Sequence, residues 1–446
     1  MTTARRFILD RSWSRHTDTV VAGSPLRILR LSAPGARAAQ VLEDAARRGD
    51  AVDDPVALRL AERLIDIGAL HILAGDSPRH GPDDVTVVIP RHRRNIVDDA
   101  PTTPAAIPTT TRSSGEVRMI IVDDASVPPI ADATVTLETN RGPAAARNAG
   151  LELVETDLVA FIDDDVEAAD DWFRDLLGHF DDERVALVAP RVASAPGAGP
   201  IERVERSHSP LDLGDEPARI RAGTRVSYVP AAAIICRRSA LEAIGGFDES
   251  LRFGEDVDLV WRLDAGGWRC RYDPSVVVHH RPRRTWSDWA RQRIDYAASS
   301  GPLARRHRGA LAPARLSPWS LAAWVLVAAG APLIGIAVAL ASAAALIVRL
   351  PMLPPRFAFW LAARGHLYAG RQLAAAIRRV WWPLVAIAAI RSRLARRALV
   401  ASAIAHPAMV AGDLCASVGI WRGSITARTL DPLVVRVINW PGRTTV

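Results

Sequence analysis

Four short, almost continuous apolar runs mark the middle of the chain: VTVVIP (Val85–Pro90), VRMIIVDD (Val117–Asp124), LVAFIDDD (Leu158–Asp165) and VALVAP (Val185–Pro190). Val- and Ile-rich runs of this kind suit strands covered by helices on both faces. PAAARNAGLELV (Pro143–Val154) and ADDWFRDLLGHF (Ala169–Phe180) are read as intervening helices. The alternation predicts an α/β fold with an open, mostly parallel, doubly wound sheet. Ligands bind such sheets at the carboxyl ends of the strands. One segment fits poorly. Where a helix is required between the first two strands, residues 91–116 are rich in Pro and Thr, so a short helix near Arg94–Ala100 and then a loop are expected.

The pattern differs on either side of this block. TVVAGSPLRILRLS holds two β-prone runs broken by Gly23-Ser24-Pro25, a hairpin signal. Pro34–Arg48 and Pro55–Ile67 read as short amphipathic helices that open with proline, and Gly68 closes the second. ALHIL adds a short strand. This small winged-helix-like pattern resembles the PqqD-type peptide-recognition domain; an N-terminal cap on the next domain is the plainer reading. AGDSPRHGPDD (Ala74–Asp84) reads as linker. The expected domains are therefore 1–78, a linker at 79–84, an α/β domain at 85–315 and a helical region at 316–446.

In that last region, Trp319 to Val348 carries no charged side chain. About 20 such residues suffice to span a bilayer. Gly330, Pro332 and Gly335 interrupt the run, so it is expected either to kink or to form a shallow re-entrant pair. WWPLVAIAAI (Trp381–Ile390) is too short to span and reads as an interfacial helix anchored by its Trp pair.

Charge sharpens this picture. The 446 residues have a formal net charge of +7 and no lysine. Residues 281–446 hold 23 arginines against four acidic residues, whereas residues 1–280 hold 33 against 45. A basic, acid-poor tail beside an apolar run suits an anionic membrane face; no recognition-module pattern supports nucleic acid. The three cysteines are far apart, without metal-ligand spacing, and suggest reduced thiols. The N-terminal MTTARRFILDRSW has no apolar h-region, so the soluble part is expected at the cytoplasmic face of the membrane.

The chemistry lies at the strand ends. In an extended chain residues i and i+2 share a face, so Asp163 and Asp165 can converge while Asp164 points away. Two carboxylates on one side form a hard-oxygen site for Mn²⁺ or Mg²⁺; the alternative is a solvated acidic turn. Further on, Gly254-Glu255-Asp256-Val257-Asp258 opens a helix whose apolar positions recur at helical spacing, closed by Gly266-Gly267. Acids there can simply complement the helix dipole.

VTVVIP, VDDAS, RGPAAARNAG, FIDDD and GGFDESLRFGEDVDLVWRL resemble, in order and spacing, the family 2 glycosyltransferases of the GT-A fold over residues 85–285. The resemblance implies inverting transfer of a sugar from a nucleotide-diphosphate donor to a hydroxyl. It places Pro90, Asp123, Asp124, Arg147 and Asp163 at the nucleotide sugar. Asp163 and Asp165 become the D-x-D element, with Asp165 the direct metal ligand and His279 or His280 completing the site. Asp256 becomes the general base, with Glu255 its supporting partner. Gly246, Phe247 and Trp261 fall at the acceptor site, although Phe247 equally suits core packing. Arg281, Arg283 and Arg284 suit either the diphosphate or lipid. The irregular 91–116 segment departs from the family's usual first helix.

The N-terminal unit, VALVAPRV, LDLG, VSYVPAAA and LARRHRGALAPARLSPWS narrow the resemblance to the mycofactocin-system branch of the family. That branch implies UDP-glucose as donor and a small peptide-derived redox cofactor precursor as acceptor. The same-class alternative extends a cell-envelope glycan or lipid-linked sugar. The alternative of another class is a nucleotide- or peptide-binding module without catalysis.

Overall fold

The structure is a computed structural model that describes residues 4–75, 78–93, 117–169 and 171–438. The short helix expected near 94–100 lies outside the described residues. The chain forms two compact units: residues up to 284 without 15–19, and residues 15–19 with those from 285 onward. Helices between 285 and 315 thus group with the C-terminal unit, earlier than the boundary at 315 read from the sequence.

The N-terminal segment holds strands β1 (Phe7–Leu9), β2 (Ser14–His16), β3 (Thr19–Ala22) and β4 (Arg27–Arg30), helices α1 (Ala33–Arg48) and α2 (Pro55–Asp66), and strand β5 (Leu70–Ile72). β2, β3 and β4 form one small sheet and β1 pairs antiparallel with β5. Each helix begins with a capped turn. Ser32 Oγ accepts from Gly35 N, and Asp54 Oδ1 accepts from Ala57 N at 2.6 Å, satisfying donors that the first turn leaves free. Phe7, Val20, Leu42, Leu64 and Leu70 share one buried core.

This N-terminal layer is fastened to the larger sheet by charge. Arg269, 2% exposed, reaches Glu62 at 2.7 Å, Asp66 at 2.8 Å and Asp182 at 2.8 Å. Arg219 adds a bond to the Asp66 carbonyl and an ion pair with Asp264. A cavity of about 260 Å³ opens beside this seam, lined by Ile8, Leu70 and His71 on one side and Ala218, Arg271 and Tyr272 on the other.

The larger sheet is built from β6 (Val85–Arg91), β7 (Arg118–Asp123), β8 (Val135–Thr136), β9 (Leu158–Ile162), β10 (Val166–Glu167), β11 (Val185–Ser194), β12 (Ala218–Arg219), β13 (Ala233–Arg237) and β14 (Arg269–His280). Its order is β10-β14-β11-β13-β9-β6-β7-β8, with β12 on β14. β6 runs parallel to β7 and β9, so the carboxyl ends of three of the four predicted strands share one edge. β13 runs antiparallel to both β9 and β11, which makes the sheet mixed. Helices α3 (Pro143–Leu151), α4 (Pro200–His208), α5 (Arg238–Ile244) and α6 (Glu255–Ala265) complete the unit. The stretch predicted as a helix over 169–180 instead holds a 3₁₀ segment, Arg174–Asp181, whose Leu176, Leu177 and Phe180 fill the core with Trp172 and Phe173.

The second unit comprises α7 (Trp286–Ala298), α8 (Ser300–Arg306), β15 (Arg315–Leu316), α9 (Pro318–Ala328), α10 (Pro332–Arg349), α11 (Pro355–Ala376), α12 (Trp382–Ala389), α13 (Arg393–Ala405), α14 (Val410–Thr426) and β16 (Arg436–Val437). The apolar run 319–348 is therefore two helices. α10 is long and apolar enough to cross a membrane by length and composition; α9 is a shorter apolar helix.

Candidate active site

The site grows from the end of β9. Asp163 N donates to the Ala232 carbonyl at 2.9 Å, continuing the ladder with β13. Val166 N then donates back to the Asp163 carbonyl at 3.1 Å, so the three aspartates form a turn between β9 and β10. Asp164 is exposed at its tip while Asp163 and Asp165 are half-buried.

The two inner carboxylates have different partners. Asp163 Oδ1 receives Arg147 Nη2 at 2.7 Å, and Arg147 Nη1 reaches Glu255 Oε1 at 2.9 Å. Arg147 comes from α3, is 3% exposed, and also lies 5.5 Å from the centroid of the Phe247 ring. Its guanidinium joins the strand-end carboxylates to the acidic start of α6. Burial pushes the Asp163 carboxyl up, Asp165 adds to this, and Arg147 only partly offsets it.

Asp165 Oδ2 lies 3.3 Å from His280 Nε2 and 3.9 Å from Arg283 Nη2. Burial alone would raise Asp165, but His280 and then Arg283 outweigh it and hold the carboxyl below its usual range. Burial would lower His280, and Asp165 reverses that, raising the imidazole. The β10–β14 register pairs His280 with Val166 and His279 with Glu167. Adjacent residues in a strand face opposite sides, so the structure separates two histidines that the sequence left equivalent, and His280 is the one at the site. It separates the arginines too. Arg281 is held by Glu167 at 2.7 Å, and Arg283 faces Asp165.

At the start of α6, Asp256 Oδ1 accepts from Val257 N at 2.7 Å. Burial pushes the Asp256 carboxyl up, against the bonds from Val257 and Ala231 N–H and the charge of Arg147. Glu255 is likewise raised, first by burial and then by Asp256. The two acids differ in their surroundings: Glu255 is buried and holds Arg147, while Asp256 is half-buried.

Other predicted residues support the site from behind. Asp123 is fully buried; its oxygens accept from Ser126 N at 2.9 Å and Ile130 N at 3.0 Å, which shapes the loop after β7. Asp124 accepts from Arg141 N at 2.7 Å and Gly142 N at 2.8 Å, tying that loop to the start of α3. Pro90 lies on β6 opposite Val122. Phe247 is buried edge-on against Phe161, 5.3 Å between centroids, and Trp261 is buried with its indole N–H on the Ser227 carbonyl. The structure thus places these two aromatics in the core, where they are shielded from an acceptor, and burial of large rings outweighs display at the surface. Gly246 does sit at a tight approach. Its φ is +69°, and a Cβ there would stand 2.6 Å from Asn148 Oδ1.

Asn148 escaped the sequence reading. Its amide accepts from Phe247 N and donates to the Phe247 carbonyl, both at 2.9 Å, clamping the loop before α6 to α3. The signal was its place beside Arg147 in RNAG, where successive helix positions face different neighbours.

For a divalent cation, Asp165 and His280 supply a carboxylate and an imidazole, donors that Mn²⁺ accepts. No group of three or more His, Cys, Asp or Glu side chains poised for a metal occurs among the described residues. Asp163 Oδ1 is taken up by Arg147, and the carboxylate–imidazole donor set of Asp165 and His280 fits a cation shared with a diphosphate.

A family model described as glycosyl transferase family 2 matches residues 86–245. The chain is 41% identical over 401 residues to the pre-mycofactocin glycosyltransferase of Mycobacterium tuberculosis (strain ATCC 25618 / H37Rv), covering 86% of this chain and 82% of the relative. It is 39% identical over 87 residues to the N-acetylglucosaminyl-diphospho-decaprenol L-rhamnosyltransferase of the same strain, covering 19% and 28%. A solved mannosyltransferase from Pyrobaculum calidifontis, in complex with GDP-Man and Mn²⁺, is 18% identical with a TM-score of 0.41, covering 87% of this chain and 99% of that one. With identity this high across most of both chains, and a family model spanning the strand-end aspartates and Arg147, the chain belongs to glycosyltransferase family 2 and has the GT-A fold.

Proposed function

We propose that this glycosyltransferase moves glucose from UDP-glucose, with inversion, onto a hydroxyl of the peptide-derived redox cofactor precursor in mycofactocin maturation. The observation that carries the reading is the convergence on Arg147 of a strand-end carboxylate, Asp163, and Glu255, the first of the acid pair that opens α6. Similarity to the pre-mycofactocin enzyme over most of the chain supports the acceptor class. The winged-helix-like N-terminal layer would hold that acceptor.

In this reading Asp256 removes the proton from the acceptor hydroxyl. The oxygen attacks the anomeric carbon from the face opposite the diphosphate, and UDP leaves with the electron pair of the broken bond. Asp165 and His280 would hold a divalent cation, Mn²⁺ or Mg²⁺, which as a Lewis acid offsets charge developing on the leaving diphosphate. Arg147 fixes Asp163 and Glu255 so that both carboxylate pairs keep their places. The exposed apolar helices and arginine surplus of the second unit support a location at the cytoplasmic membrane face. Those same helices would serve a lipid-linked sugar acceptor, the second reading.

The test is incubation of the full chain with a panel of UDP- and GDP-sugars, Mn²⁺ or Mg²⁺, and either the peptide-derived precursor or polyprenyl-linked sugars, with products followed by mass. Addition of one hexose to the precursor, lost in Asp256→Ala, supports the proposal. Transfer only to the lipid-linked acceptors would replace it with the second reading, and no metal-dependent transfer across the panel would reject both.

A further inference from the structure

Within the second unit, the apolar run folds back on itself. α9 ends at Ala328, Gly330 turns the chain with φ +84°, and Pro332 starts α10. A Cβ on Gly335 would stand 2.7 Å from both the Ala323 carbonyl oxygen and a Val327 methyl, so only glycine lets the two helices approach this closely. At 1.5 Å per residue, α9 is roughly 16 Å long and α10 roughly 27 Å. A hydrocarbon core is about 30 Å thick, so α9 reaches only about halfway through.

The hydroxyls of this hairpin and the Trp324 indole are closed internally. Between Trp319 and Val348 the hydroxyls are Ser320 and Ser342, and one imidazole bonds both: Ser320 Oγ lies 3.0 Å from His366 Nδ1 and Ser342 Oγ 2.7 Å from His366 Nε2. Trp324 Nε1 donates to the His366 carbonyl at 2.8 Å. Closure of this kind is what hydrocarbon demands and water does not.

The turn itself is the most apolar part. Ala328 through Ile334 carries no polar side chain, and Leu333 and Ile334 are 79% and 57% exposed. The turn therefore has no polar side chain to hold water on the far side of a bilayer. At the other end of the hairpin the exposed Arg349 ends α10 and the exposed Arg356 stands in the first turn of α11, in a region with 23 arginines and four acids. This charge complements anionic headgroups and repels a second copy of the same surface.

We propose that α9 and α10 enter one leaflet of an anionic bilayer tip first and do not cross it, with both feet on the same side and His366 pinning the hairpin. The proposal rests on the membrane-face reading above and adds its topology. The occupant of the exposed apolar face is lipid.

The test uses the full chain bound to sealed phosphatidylcholine–phosphatidylglycerol vesicles. Cys415→Ser removes the half-buried native thiol, and Ala329→Cys carries an environment-sensitive fluorophore at the tip. The expected result is strongest quenching by labels deep in the acyl chains, with no reaction at Cys-substituted position 329 by an impermeant thiol reagent on either side. Leu333→Asp with Ile334→Asp should weaken vesicle binding roughly tenfold or more, because a carboxylate is costly in hydrocarbon. Transfer measured in detergent should be unchanged by that pair. Labelling by reagent trapped in the lumen would show crossing and overturn the proposal. So would an unquenched tip on a vesicle-independent dimer. Loss of transfer with the expected topology would count against the functional reading alone.

Discussion

Arg147 Nη2 stands 2.7 Å from Asp163 Oδ1, so a helix residue buried to 3% exposure sets the place of a strand-end carboxylate. The other arm of the same guanidinium holds Glu255, and each carboxylate depends on it for compensation. Removing one partner of a buried ion pair costs about 3–5 kcal/mol. Arg147→Ala is therefore expected to lower unfolding free energy by about that much, read from urea denaturation. Arg147→Lys keeps the charge but not the two-armed geometry, and should cut transfer at least about tenfold with a smaller stability loss. Equal stability and activity in both variants would remove Arg147 from this role.

The aspartate triplet should behave as two working residues and one dispensable one. Asp163→Asn and Asp165→Asn are expected to reduce kcat by about a hundredfold or more, the scale of losing electrostatic stabilisation of a developing anion. Asp164, exposed at the turn, should tolerate asparagine with transfer within about twofold. Comparison of the three rates under saturating Mn²⁺ checks this order.

Asp256 gives a pH signature. Its carboxyl is raised above the ordinary aspartate value by burial, with Arg147 and the Val257 and Ala231 N–H groups only partly offsetting it. A base must be deprotonated, so kcat/KM should rise with pH through this raised value and fall away on the acid side earlier than for a free aspartate. Asp256→Asn should abolish most of the rate and flatten the acid limb of what remains. A limb that persists unchanged in the variant would assign it to another group.

Asn148 is expected to act through the loop before α6. Asn148→Ala removes both bonds to the Phe247 backbone, a loss of about 1–3 kcal/mol for groups left without partners. Because that loop leads into Asp256, the KM for acceptor should rise more than the KM for donor. Phe247→Leu, which keeps an apolar side chain in the core, should change both less.

The seam predicts that the N-terminal layer cannot be detached cheaply. Arg269→Ala leaves Glu62, Asp66 and Asp182 facing each other without their shared cation. A stability loss of about 3–5 kcal/mol is expected, together with faster proteolysis near 74–84. Unchanged proteolysis would mean that the remaining contacts suffice to hold the layer.

Much of the fold is legible along the chain because its signals are local. Val- and Ile-rich runs such as Val85–Pro90 become strands through burial of both faces, and Pro34 and Pro55 open helices where a missing N–H costs nothing. The spacing of Asp163 and Asp165 is local too, although a turn between β9 and β10, not an extended strand, sets Asp164 apart at its tip. The 3₁₀ segment at Arg174–Asp181 departs from prediction because filling the core with Leu176 and Phe180 prevailed over the helical pattern.

Tertiary structure alone decided the rest, because it depends on contacts between residues far apart in sequence. It made His280 the partner of Asp165 through the register of β10 on β14. It buried Phe247 and Trp261 behind the site, turned Asp123 inward to its own loop, and bent the apolar run at Gly330. Above all it brought Arg147 to Asp163 and Glu255, residues separated by 16 and 108 positions. Sequence determined which side chains could carry the chemistry. Packing determined which of them meet.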